Sequence, residues 1–143
     1  NLKLRPRILE HMEPGTRVVS HAFTMGDWDA DEVDNIDGRH IYYWVVPADA
    51  SGAWTWEVNG TSYRTVIDQE FQKLSGQVIA GGSSAAMEHG VMSGKTVTFE
   101  TRARGASGGT SAMLFEGVIE GDVINATVYI DGDATDVVAR RAD

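Results

Sequence analysis

The chain has 143 residues, 42% of them hydrophobic, no cysteine and a formal net charge of −9. That length admits one ordinary domain or two very small ones, and the apolar share excludes wholesale disorder. Without cysteine there is no disulfide scaffold, thiolate zinc site or cysteine nucleophile, and the acidity disfavours nucleic acid and anionic membranes as partners. No apolar run approaches the ~18 residues of a membrane span, and no signal peptide is visible. The start at Asn1, not Met, leads us to expect a fragment.

Residues 1–50 and 51–143 have different textures, which predicts two domains with that boundary. The first opens on Leu2, Leu9 and Met12 around Pro6, the spacing of a short helix with one apolar face. Glu13-Pro14-Gly15 ends it, because proline disfavours helix before itself and glycine permits the turn. The β-branched run from Thr16 to Phe23 then reads as a buried strand of an α/β sheet, with His21 near the C-terminal end of a parallel strand. Asp27–Gly38, with six acids in twelve residues, reads as a loop. Arg39–Val46 is a second strand, ended by Pro47. One helix and two strands cannot close an α/β core, so these strands are expected to need sheet neighbours from elsewhere.

From Ala53 the helical period gives way to alternation, punctuated by Gly, Asn and Asp. Eight strands are predicted near 53–58, 62–70, 72–80, 85–91, 95–103, 110–119, 122–130 and 134–141. Trp54 and Trp56 share a face; so do Tyr63, Thr65, Ile67 and Phe71, and so do Val97, Phe99 and Thr101. Met113, Phe115 and Ile119 oppose Glu116 and Glu120. Ile124, Ala126, Val128 and Ile130 oppose Asn125 and Thr127. One wet face, one dry face and short connections predict an antiparallel meander closed into an eight-stranded up-and-down β-barrel. A two-sheet sandwich is the alternative. The fold class expected is therefore mainly β, the barrel being preceded by a helix-plus-strands piece of a Rossmann-like α/β sheet.

Little of this carries explicit chemistry. Asp27, Asp29 and Asp31 have the first oxygens of a calcium loop, but Glu32 and Gly38 stand where that loop needs glycine and a bidentate glutamate. A solvated acidic loop is the plainer reading. Asp131, Asp133 and Asp136 read as a hairpin turn. The histidines His11, His21, His40 and His89 have no metal-ligand spacing, so no metal is expected. There is no Gly-x-Ser-x-Gly elbow, and the glycine runs at 81–82 and 105–109 lie between strands, not before a helix. Trp54, Trp56, Tyr63, Phe71, Phe99 and Phe115 are candidates to line the barrel around a small apolar ligand, or simply to fill it.

The stretch Pro14-Gly15-Thr16-Arg17-Val18-Val19-Ser20-His21-Ala22-Phe23-Thr24-Met25-Gly26-Asp27-Trp28, with the preceding helix start and the later Ile41-Tyr42-Tyr43-Trp44-Val45-Val46-Pro47, resembles bacterial class I S-adenosylmethionine-dependent methyltransferases. The resemblance spans roughly residues 1–48. It implies that the helix and Val18–Phe23 form one αβ unit of a Rossmann-like sheet, and that Ile41–Val46 belongs to its closing antiparallel pair. It places His21, Met25, Asp27 and Trp28 on the substrate side and leaves the catalytic residues unassigned. The family grips its cofactor with a glycine-rich loop and an acid ending the second strand, and both are missing here. S-adenosylmethionine is thus expected to bind a longer protein and not this chain alone. Residues 52–141, from Gly52-Ala53-Trp54 to a closing strand ending in arginine, are similar to small lipocalin-like or avidin-like barrels.

The leading expectation is the C-terminal region of such a methyltransferase, in the bacterial cytoplasm. Its barrel would assist substrate recognition, assembly or stability, and its partners would be the upstream methyltransferase domain or another copy of the chain. The alternatives are a lipocalin-like module for a small apolar ligand, and a structural or oligomerisation domain.

Overall fold

The structure is a computed structural model that describes residues 5–21, 24–36, 39–104 and 110–142. Leu2, Ala22, Phe23, Asp37, Gly38 and the glycine run at 105–109 lie outside the described residues. The chain divides into two compact units, Asn1–Ala48 with Ser93–Lys95, and Asp49–Met92 with Thr96–Asp143.

The first unit carries helix α1 (Arg5–His11) and strands β1 (Arg17–His21), β2 (Glu32–Ile36) and β3 (Arg39–Val45). Pro6 stands in the first turn of α1, where its missing N–H breaks no helical bond. The buried helix residue is Ile8, not the expected Leu9 and Met12; Met12 is 45% exposed. Seven residues make barely two turns, so a single position faces inward. The three strands form one sheet in the order β1-β3-β2, with β3 antiparallel to both neighbours. This corrects two expectations. β1 pairs antiparallel, opposite β3, instead of lying in a run of parallel strands, and Val19 on it is half exposed. The acidic stretch 27–38 also contains a strand, because Val33 and Ile36 extend a backbone that pairs with Tyr42 and Arg39. Asp31 leads into that strand: its N–H donates to Tyr43 O, and its carboxylate accepts the Val45 N–H at 2.7 Å. A charged group thus satisfies a backbone donor that the short β2 leaves open.

The second unit carries β4 (Gly52–Val58), β5 (Thr61–Glu70), β6 (Lys73–Ala80), β7 (Ser83–Ala86), β8 (Glu88–Ser93), β9 (Thr96–Arg104), β10 (Thr110–Glu120), β11 (Val123–Ile130) and β12 (Asp133–Ala142). Eight of them run β5-β4-β12-β11-β10-β9-β8-β6, and β6 returns to β5, closing an antiparallel barrel; β7 is an extra strand on β6. Ring neighbours follow one another in sequence, apart from β6 and β8, which the extra strand β7 separates, and the closing β12–β4 pair, so this is an up-and-down barrel and not a sandwich. Two hairpins, at Asn59-Gly60 and Asp131-Gly132, use two-residue turns with φ of 51° and 81°, and of 50° and 85°. Both central residues are left-handed, the geometry whose twist matches the flanking strands.

The strand predicted at 85–91 is two strands, divided at Met87. The Met87 N–H leaves the ladder to donate to Gly76 O at 2.9 Å. Beyond it His89 has φ 52°, and the buried side chains pass from Met87 to Met92, from odd to even numbers. That change of parity is the effect of one extra residue, a bulge, in the strand. Elsewhere alternation sets the core: Val97, Phe99 and Thr101 on β9, Met113 and Phe115 on β10, and Ile124, Ala126 and Val128 on β11 are all buried.

Candidate functional site

Met25, Asp27 and Trp28 come together in a tight turn. Gly26 takes φ 71°, and Met25 and Trp28 form an antiparallel bridge across it. Both bridge residues are almost wholly buried. The Trp44 indole N–H donates to Trp28 O at 3.0 Å, and the two rings stand 6.2 Å apart, tilted by 52°. Tyr42, on the same face of β3, lies 5.8 Å from Trp44. The Arg5 guanidinium donates both to Met25 O and to the exposed Asp27 carboxylate, so it ties the start of α1 to this turn. Met25 and Trp28 therefore pack, and Asp27 already holds a cation. His21 ends β1 opposite Ile41, and its side chain lies outside the described residues.

The barrel interior brings five of its six aromatic candidates inside. Trp54, Trp56, Tyr63, Phe99 and Phe115 are all buried. Four make a continuous chain: Tyr63 stacks on Trp56 at 4.5 Å, Trp56 tilts against Phe115 at 5.3 Å, and Phe115 stacks on Phe99 at 4.7 Å. Such offset and tilted contacts are the ones aromatic quadrupoles favour. The Trp56 indole N–H donates to the buried Thr65 hydroxyl at 2.8 Å, which satisfies two polar groups inside the wall. Burial pushes the Tyr63 phenol above its ordinary pKa, so it stays neutral. Phe71 is elsewhere, half-buried in the β5–β6 turn with φ 55°. Its carbonyl accepts from the Gln69 amide, whose oxygen in turn accepts the Ala50 N–H.

Arg141 is a residue that sequence reasoning missed. Its guanidinium carbon lies 4.3 Å from the centre of the Trp54 ring. Its nitrogens donate to Asp122 Oδ1 at 3.0 Å, Ser51 O at 2.7 Å and Asp49 O at 3.2 Å. The Trp54 indole N–H donates to Ala50 O at 2.9 Å. One planar cation thus clamps the entry to β4, the last strand and the turn before β11, a use suited to the five-donor fork of arginine. Gly52-x-Trp54 and the terminal Arg140-Arg141 were visible in sequence, but only the closed barrel shows which arginine meets the ring.

Among the described residues, no group of three or more His, Asp or Glu side chains could hold a metal ion, and no helix is long and apolar enough to cross a membrane. Comparison with protein-family models, curated proteins and solved structures finds no significant match.

Proposed function

We propose that the chain is the C-terminal region of a class I S-adenosylmethionine-dependent methyltransferase, with a barrel that assists substrate recognition, assembly or stability. The observation that carries this reading is the strand order of the first unit. The resemblance asks for a closing antiparallel pair at Ile41–Val46, and β3 runs antiparallel between β1 and β2. The residues of this chain do not fit the cofactor itself. The glycines at 81–82 turn a β-hairpin and do not lead into a helix. On this reading the cofactor and the catalytic groups belong to residues upstream of Asn1.

Isothermal titration with S-adenosylmethionine tests this. The longer protein is expected to bind more tightly than ~10 μM, and this chain alone more weakly than that. A parent protein that does not bind the cofactor, or a chain that binds it alone, overturns the reading.

The clamp of Arg141 over Trp54 favours a second reading, a lipocalin-like module for a small apolar ligand. The ring chain occupies the barrel, so a ligand must displace Trp56 from Tyr63 or Phe115. Titrating the chain with a fatty acid should then quench or shift tryptophan emission, and an unchanged spectrum at saturating fatty acid speaks against this second reading.

A further inference from the structure

The register of β9–β12 arranges their outward side chains in rows across four strands. One row runs Glu100, Leu114, Tyr129. The next runs Thr98, Glu116, Thr127, Asp136, and the third Val118, Asn125, Val138. The three rows hold three carboxylates and no lysine or arginine; Arg102 borders the first row and Arg140 the third. Between the acids lie Tyr129, Val118 and Val138, which are 39%, 43% and 44% exposed. Two shallow grooves open on this face: one of about 390 Å³ beside Leu114 and Tyr129, where Glu88, Glu100 and Asp131 outnumber Arg102, and one of about 400 Å³ beside Asp136 and Val138.

From this pattern we infer that the outer face of β9–β12 docks a cationic, partly apolar segment of a partner protein. The charge decides the occupant. Glu100 and Glu116 are diagonal neighbours on adjacent strands, and Asp136 shares the row of Glu116 on the far side of Thr127. Such like charges repel, and a lysine- or arginine-bearing segment relieves that repulsion. The rings and valines between them supply apolar area that a purely ionic attraction does not need. Glu100 already accepts a bond from the exposed His89, and Asp136 from Thr127, so both carboxylates are held in place on the face. An acidic partner is excluded by the same charges. A second copy of this chain, itself at −9, is opposed by them. The inference concerns binding alone and does not depend on the methyltransferase reading.

The test is fluorescence anisotropy of the full chain with a labelled synthetic peptide of lysine, leucine and serine. Binding is expected to weaken about tenfold between low and moderate salt. The triple variant Glu100→Gln, Glu116→Gln, Asp136→Asn should lose about tenfold or more in affinity. The triple variant Glu57→Gln, Asp68→Asn, Glu70→Gln changes the net charge equally on β4 and β5, and should lose about twofold at most. Val118→Ser with Val138→Ser leaves the charge unchanged and should still weaken binding about threefold. Circular dichroism checks that each variant is folded. Absent binding, equal losses from the two triple variants, or equal affinity for a peptide with glutamate in place of lysine would each overturn the proposal. So would self-association of the chain that the first triple variant abolishes. None of these outcomes bears on the cofactor titration.

Discussion

Phe115→Ala should remove about 3–5 kcal/mol of stability, a large part of the ~5–15 kcal/mol that holds a domain of this size. Phe115 is 1% exposed and touches rings on both sides, Phe99 at 4.7 Å and Trp56 at 5.3 Å. Truncation loses the transfer energy of the ring and leaves a void between rings that are held by separate strands and cannot both collapse into it. Phe115→Leu keeps most of the volume and should cost about 1–2 kcal/mol. Guanidinium denaturation followed by circular dichroism reads both, as a lower midpoint with an unchanged slope. A loss under ~1 kcal/mol for the alanine variant would mean that the ring chain is not the core.

Gly76→Ala is the second large effect. A Cβ at this position would stand 1.9 Å from Val66 O, on the strand that pairs with β6, and the backbone sits at φ 146°. The obstructing atom is backbone in the adjacent strand, so no rotamer relieves the contact. The chain must part at the β5–β6 ladder, or distort where Gly76 O accepts from Met87. Overpacking and the unfavourable φ together should cost on the order of 3–5 kcal/mol. Gly82→Ala is the control: nothing lies within 4 Å of its Cβ, and its φ is not left-handed, so its effect should stay within about 0.5 kcal/mol. Thermal denaturation of the pair separates steric obstruction at Gly76 from the effect of adding a methyl group to a glycine in open space.

The barrel was legible because its signal is local and repeated. Val97, Phe99 and Thr101 alternate with Thr98, Glu100 and Arg102, and turn residues mark nearly every strand end, so register and face could be read from adjacent residues. What escaped is non-local or compositionally masked. β2 hides in an acidic stretch because an edge strand can carry charges on its exposed side while still pairing through its backbone. The division at Met87 depends on Gly76, which is distant in sequence and supplies the acceptor. Leu9 and Met12 gave way to Ile8 because a helix this short has no extended face to orient. The aromatic candidates were found by parity, except Phe71, where parity ran one residue past the end of the strand into its turn. Arg141 could not be found by parity, since two of its partners are backbone carbonyls about ninety residues away with no sequence signature.

That distance has a consequence for how the protein is made. β4 is the first strand of the ring to leave the ribosome, and its partner β12 is the last, with Arg141 and Ser51 separated by 90 residues. At synthesis rates of about 5–20 residues per second, one margin of β4 waits roughly 5–20 s for its mate. Throughout that interval the nascent sheet is an open ribbon, and the indoles of Trp54 and Trp56 have no completed cavity to enter. During those seconds the unpaired margin of β4 is open to wrong pairing and to holdase capture.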